Sequence, residues 1–305
     1  MKDFGTWLWD AALGWHKDNA MRMSSSLAYY TLLSLAPLLV LAVSIAGLFM
    51  GDEAARGHIA EALTKRLGDD AGDMSLVVEA IIESARDPAD SVIGTLIGSV
   101  VLVVGASGAF GELQSAMNTI WEVEPKKGRG FWGLVRDRVI CFTMVGSVAL
   151  LLLALLLVWA LMAWLGTRVG ALPGGLVLWQ AVDLALSIVA VTLLFALSYK
   201  TVPDVRIPFR EVLPGAFLTA LMFALGELAL GLYLRYSAVP KPQGAAGSVI
   251  VLVVWVYYAG QILFYGAEFT KARAAARGVH VQPRQHAMRM LKSGRRATDV
   301  VSQSS

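Results

Sequence analysis

Three carboxylic acids stand inside apolar stretches of this 305-residue sequence: Asp183, Glu227 and Glu268. An ionisable side chain in such a place costs free energy to keep, so each is a candidate for binding or moving something. Asp183 lies about seven residues into its stretch, roughly 10 Å below one edge at about 1.5 Å per residue. Glu227 lies about nine residues before the end of the next stretch, at a similar depth. On adjacent helices the two carboxylates could meet, share a proton and serve a proton- or substrate-coupled step. The other reading is a buried pair with a Tyr, Trp or Arg partner. Glu268, at the end of the last stretch, reads either as a functional acid or as an end charge that snorkels or pairs with Lys271.

The residues required by soluble-enzyme chemistry do not cluster. The four histidines, His16, His58, His280 and His286, are scattered and form no metal-binding spacing. None of the nine lysines follows a glycine, which excludes a P-loop, and no Gly-x-Ser-x-Gly elbow occurs. A single cysteine, Cys141, excludes an intrachain disulfide. The expectation is a chain that is not an enzyme and needs no cofactor or metal.

The elements that must position these acids are six apolar runs: 27–50, 91–110, 139–165, 176–199, 212–236 and 247–269. Each has at least 20 residues, enough for a helix to cross about 30 Å of hydrocarbon. Composition agrees, with 56% hydrophobic residues, 16% charged residues and a mean hydropathy of +0.61, against about 25% charged in soluble domains. The expected fold is all-α: a polytopic membrane protein of six transmembrane helices. Of the Lys and Arg residues, 19 fall on the side carrying both tails and the 110–138 and 200–211 links, and 7 on the other. That bias predicts both termini in the cytoplasm. Because topology accounts for the basic loops, no specific nucleic-acid partner is expected. Trp121 and Trp132 are expected at the inner membrane boundary, Trp164 and Trp179 at the outer one.

Three regions follow. Residues 1–26 are expected to hold an amphipathic helix over 3–22, lying in the inner interface or packed on its own bundle. They contain no apolar core before a small-residue cleavage site, so the first run reads as a retained span that directs insertion. Residues 27–269 form the six-helix domain, with one small helical outer loop at 51–90, read as a lid or plug. Residues 270–305 form a basic cytoplasmic tail, expected to be partly disordered and drawn to anionic lipids.

The runs are uneven. The first carries Ser24, Ser25, Ser26, Tyr29, Tyr30, Thr31 and Ser34 in one half, then Pro37, a candidate hinge. These hydroxyls read as helix–helix glue or as a pathway lining. In the second run the spacings Gly94–Gly98 and Ser107–Gly111 permit close approach of another helix. The third is almost purely apolar, as a lipid-facing wall would be.

Several ordered segments resemble one family. Ser26 to Leu38 (SLAYYTLLSLAPL) is similar to the first-span signature of the YihY/virulence factor BrkB family, formerly labelled ribonuclease BN-like. Leu113 to Trp121 (LQSAMNTIW) resembles the segment after its second span. Tyr199-Lys200-Thr201-Val202-Pro203, Leu213-Pro214-Gly215-Ala216 and Tyr265-Gly266-Ala267-Glu268 continue the likeness, over about residues 5–275. The resemblance implies a bacterial inner-membrane protein with membrane lipids as partners and a lipid or small solute as substrate. It brings no catalytic set. Tyr29, Tyr30, Ser34, Gln114, Asn118, Lys200, Gln261 and Glu268 are expected to converge on an inner vestibule, with Asp183 and Glu227 nearer the outer face. The functional expectation is a transporter or translocator without its own nucleotide hydrolysis. The alternative is an envelope structural or interaction protein. Ribonuclease activity would need clustered metal ligands that the sequence lacks.

Overall fold

The computed structural model describes residues 4–50, 92–125, 175–236, 245–279, 281–284 and 287–290. The third run, the outer loop 51–90 and Trp132 and Trp164 lie outside them. Six helices are described: α1 (Phe4–Lys17), α2 (Ala20–Met50), α3 (Val92–Ile120), α4 (Gly175–Thr201), α5 (Phe209–Tyr236) and α6 (Ala245–Ala276). Their apolar runs form helices because only a helix satisfies each backbone amide internally in a medium without water. Three stretches within them, Leu184–Thr201, Phe209–Leu232 and Val251–Ala276, are long and apolar enough to cross a membrane.

Four short strands, β1 (Val123–Pro125), β2 (Val205–Arg206), β3 (Gln282–Pro283) and β4 (Ala287–Arg289), modify the all-α expectation. β1 pairs antiparallel with β4, Val123 opposite Arg289, and β2 with β3, Val205 opposite Pro283. Part of the tail, which was expected to be partly disordered, is thus paired with earlier segments through β3 and β4. Its turn is a helix cap. At the end of α6 the Val279 amide donates to the Ala274 carbonyl and the Gly278 amide to Ala275. Gly278 takes φ +69°, the left-handed geometry this cap requires.

The expected helix over 3–22 is interrupted. Asn19 has φ 55°, a value that Asn tolerates better than most residues. Its carbonyl accepts the amides of Arg22 and Met23 and so starts α2. The first run is thus helical from Ala20, and the helix continues through residue 37. The ring of Pro37 lies outside the described side chains.

Two units divide the chain. One comprises residues 1–18, 114–220 and 264–305, and the other residues 19–113 and 221–263. In the first, Tyr199, Met117, Ile120, Val212, Phe264 and Phe269 are fully buried. Here α5 and α6 cross backbone to backbone through paired Gly-x-x-x-Thr segments. Gly215 faces the Thr270 side chain and Gly266 faces that of Thr219, so a methyl at either glycine would overlap a hydroxyl. Both threonines turn their hydroxyls onto their own helix, to Gly215 and Gly266 carbonyls at 2.8 Å each. The Tyr199 hydroxyl shares a 2.8 Å hydrogen bond with Thr219. Pro214 leaves the Arg210 carbonyl without a helical donor, and Arg273 Nη1 approaches that oxygen at 3.5 Å. Trp121 is buried in this unit.

In the second unit, α2 packs on α3 at Gly105, against Ser34, and at Gly108, beneath the Tyr30 ring. A Cβ at Gly111 would meet nothing within 4 Å among the described residues. Ser24 meets Gly260 of α6, and Phe223 of α5 meets Trp255 at 5.2 Å between centroids.

Candidate functional site

The site begins with α1. Phe4, Trp7 and Phe269 form an edge-to-face cluster with centroids 5.7 to 6.5 Å apart. The Tyr265 hydroxyl donates to the Leu8 carbonyl at 3.1 Å. The Arg273 guanidinium stands 5.9 Å from the Trp7 ring. These contacts lay α1 along the end of α6 and bring Gly14 onto the Glu268 carboxyl. A Cβ at Gly14 would lie 2.5 Å from Glu268 Oε2, so this position has no room for a side chain. α1 thus packs on its own unit through this face, while Trp9 and Leu13 remain exposed on its outer side.

Glu268 is only 3% exposed, and its Oε1 is buried without a hydrogen-bond partner among the described residues. It lines an open cavity of about 510 Å³, whose walls include Asp10, Lys271 and the methyl groups of Ala272, Ala275 and Ala276. Positions 268, 271, 272 and 275 share one face of α6 because three- and four-residue steps nearly complete a helical turn. Asp10 and Gly14 share a face of α1 for the same reason. The Lys271 ammonium is 3.4 Å from Glu122 and 3.9 Å from Asp18. Several carboxyls therefore surround one ammonium, and the most deeply buried of them, Glu268, shares a side-chain hydrogen bond with Asp18 while its Oε1 has no partner among the described residues. Such a group can accept a hydrogen bond from, or balance the charge of, a cationic ligand. Among the described residues no group of three His, Cys, Asp or Glu side chains could hold a metal ion.

Two neighbouring polar clusters are closed. Asn118 Oδ1 accepts the Asp204 amide at 2.8 Å, and its Nδ2 donates to Asp204 Oδ2 at 3.0 Å. Gln114 Nε2 stands 3.4 Å from both Asp204 carboxylate oxygens. The Arg284 amide donates to the Asp204 carbonyl, and its guanidinium caps the end of α4 at the carbonyls of Lys200 and Thr201. Glu211 is held by Arg273 at 2.7 Å and Arg277 at 3.0 Å.

Of the residues expected in one vestibule, Gln114, Asn118, Lys200 and Glu268 belong to the first unit and Tyr29, Tyr30, Ser34 and Gln261 to the second. Gln114 and Asn118 meet on Asp204. Glu268 lines the cavity, while Lys200 is exposed with its ammonium 5.1 Å from the Phe209 ring centroid. In the other unit Tyr29 is 64% exposed, its ring edge-on to Tyr30. Ser34 is buried, with its hydroxyl on the Thr31 carbonyl, and Gln261 is half-buried. Glu227 is exposed and has a partner of its own. The Asp183 side chain lies outside the described residues, and so does the expected meeting of the two acids.

Asp10, Asp18, Glu122 and Asp204 were not singled out from the sequence. A signal existed for three of them: Asp10 and Asp18 flank Gly14 at four-residue spacing, on one helical face that runs from α1 to the residue just after it. Asp204 directly follows the Tyr199–Pro203 segment.

A protein-family model described as virulence factor BrkB matches residues 11–291. The chain belongs to this family. The match runs beyond the limit near residue 275 that the motifs suggested and takes in β3 and β4. Relatives are named UPF0761 membrane proteins. That of Pseudomonas paraeruginosa is 30% identical over 257 residues, covering 82% of this chain and 58% of that protein. That of Alkalilimnicola ehrlichii is 27% identical, covering 85% of this chain and 56% of the relative. In Psychromonas ingrahamii the relative is 27% identical, with 83% and 82% covered. The chain spans a little over half the length of the first two. No solved structure matches it. Family membership and the apolar helices make this a membrane protein.

Proposed function

We propose that the chain is a bacterial inner-membrane protein of six spanning helices with both termini in the cytoplasm, and that it translocates a lipid or small solute. It has no nucleotide-hydrolysing site of its own and works without enzymatic chemistry, so movement is passive or coupled to an ion or proton gradient. The observation that carries this reading is Glu268: a buried acid near the end of an apolar helix, one oxygen without a hydrogen-bond partner among the described residues, on the wall of a cavity of about 510 Å³. A fold that needed only stability would pair or replace such a group.

Reconstitution in proteoliposomes tests it, with fluorescently tagged phospholipid as the first cargo and dithionite quenching as the readout. The wild type should exchange lipid between leaflets at least ten-fold faster than protein-free vesicles, and Glu268→Gln should remove most of the gain. A rate equal to that of empty vesicles for lipid, and for a panel of small solutes, would sink the proposal. In a proton-coupled version Asp183→Asn or Glu227→Gln abolishes transport; full activity with both changes together removes these acids from the mechanism.

The second reading, an envelope scaffold, is favoured by the closed clusters at Asp204 and Glu211, where carboxylates are locked by partners as a static core requires. It predicts no flux with any cargo and unchanged behaviour of Glu268→Gln.

A further inference from the structure

We infer that the link between α4 and α5 is a docking surface for the headgroup of an anionic membrane phospholipid, held by Lys200, Arg206 and Arg210. This surface requires the membrane location of the chain but not transport, so it stands or falls separately from the translocation reading.

The link is anchored from within. Val202, Pro203, Val205 and Ile207 are buried. β2 is fixed to β3, with Val205 opposite Pro283 and Arg206 opposite Gln282. Strand alternation turns Val205 inward and Arg206 outward. The charges of this stretch are sorted by sign. Its two acids face inward: buried Asp204 accepts from Asn118, and buried Glu211 is paired with Arg273 and Arg277. Its three cations face outward. Lys200, Arg206 and Arg210 are exposed, and among the described residues none of them is in an ion pair. Arg284 adds a positive charge at the same helix end, where its guanidinium caps the Lys200 and Thr201 carbonyls. A soluble surface usually mixes both signs, whereas this one presents cations alone.

Position selects a lipid over a soluble anion. The span Leu184–Thr201 ends one residue past Lys200, and the span Phe209–Leu232 begins one residue before Arg210. The cations therefore stand where hydrocarbon gives way to phosphate. The Phe209 ring is exposed beside them, with the Lys200 ammonium 5.1 Å from its centroid. Such a pair suits the headgroup region, the ring toward the acyl chains and the charge toward the phosphates. Arg206 and Arg210 offer planar forks of N–H donors that match phosphate oxygens. A zwitterionic headgroup brings a cation of its own and gains less here, so an anionic one is selected. Each cation near an anionic leaflet is worth roughly a five-fold gain in occupancy, and the gain falls with salt.

The full chain is purified in nanodiscs containing equal phosphatidylglycerol and phosphatidylcholine with matched acyl chains, and native mass spectrometry counts the lipid retained. We expect phosphatidylglycerol to be retained at least five-fold over phosphatidylcholine at low salt. The triple variant Lys200→Gln, Arg206→Gln, Arg210→Gln should lose most of that preference. The control, Lys292→Gln, Arg295→Gln, Arg296→Gln in the tail, removes the same charge and should keep it. Equal retention of the two lipids by the wild type overturns the inference. So does a preference that survives in the link variant, or one that falls as far in the tail variant. Glycerol phosphate is titrated in parallel by calorimetry into protein held in phosphatidylcholine discs, and no heat is expected. Saturable binding there, abolished in the link variant and without a lipid preference, overturns the lipid assignment in favour of a soluble anion. Should the triple variant fail to fold, Arg206→Glu alone reverses an exposed charge with no ion pair to lose and must at least halve the preference. Lipid preference without flux leaves the docking surface standing and removes only the translocation reading.

Discussion

Replacing Asn118 by alanine removes both side-chain bonds that tie the end of α3 to the link after α4. Oδ1 accepts the Asp204 amide at 2.8 Å, and Nδ2 donates to the Asp204 carboxylate at 3.0 Å. Asn118 is 5% and Asp204 4% exposed, so water cannot easily replace either bond. The orphaned amide costs about 1–3 kcal/mol, and the lost bond to a charged group about 1.5–3 kcal/mol. Gln114, 3.4 Å from both carboxylate oxygens, can shorten its contacts and recover part of the second loss. The net expectation is a destabilisation of roughly 3 kcal/mol. The assay is unfolding of the purified protein in a mild detergent, followed by tryptophan fluorescence, with Asp204→Ala and the double variant measured beside it. Because the residues share two bonds, the double variant should cost at least about 1 kcal/mol less than the sum of the singles. Loss of under about 0.5 kcal/mol on Asn118→Ala, or strict additivity in the cycle, would refute the assignment of this pair as a structural tie.

Three further outcomes follow from the same kind of contact. Gly266→Ala places a methyl group against the Thr219 hydroxyl and Tyr199, which should cost about 1–3 kcal/mol by overpacking, and Thr219→Ala added to it should restore part of the loss in the same melts. Glu211→Gln discards a charge shared by Arg273 and Arg277; as Arg277 is half exposed, Arg273 dominates, and a loss of about 2–4 kcal/mol is expected, with a null result indicating that the pair is solvated. Truncation after residue 279 removes β3, β4 and the Arg284 cap on α4, so the melting temperature should fall, whereas a tail that is merely attached would leave it unchanged.

Much of the helical architecture was legible beforehand, for a simple reason. The length and apolarity of a run are properties of that run alone, and 184–201, 209–232 and 251–276 emerge as helices near the places where hydropathy put them. Ends were less legible. The break at Asn19 and the fold-back after Gly278 depend on single left-handed residues, while the β-ribbons join segments too short and too polar to announce themselves. The candidate site was half legible. Glu268 stood out because an acid in an apolar helix is rare, yet its neighbours Asp10 and Gly14 belong to a helix more than 250 residues away. Depth along a span does not state which way a side chain faces: Tyr29 is exposed, whereas the ring of the next residue, Tyr30, packs against Gly108.

The amino-acid sequence by itself determined the solvent of this protein, its helical class and its family, because these follow from sums over contiguous residues and from ordered motifs. Only the tertiary structure decided what each polar group does. Asn118 and Asp204 are 86 positions apart in the chain, and Glu211 and Arg273 are 62 apart. Such pairs are made by helices crossing, and the crossing of α5 and α6 is set by the close fit of Gly215 to Thr270 and Gly266 to Thr219. The same packing satisfies Asp204 and Glu211 but leaves one buried oxygen of Glu268 without a partner among the described residues, and that difference distinguishes a structural acid from a candidate functional one.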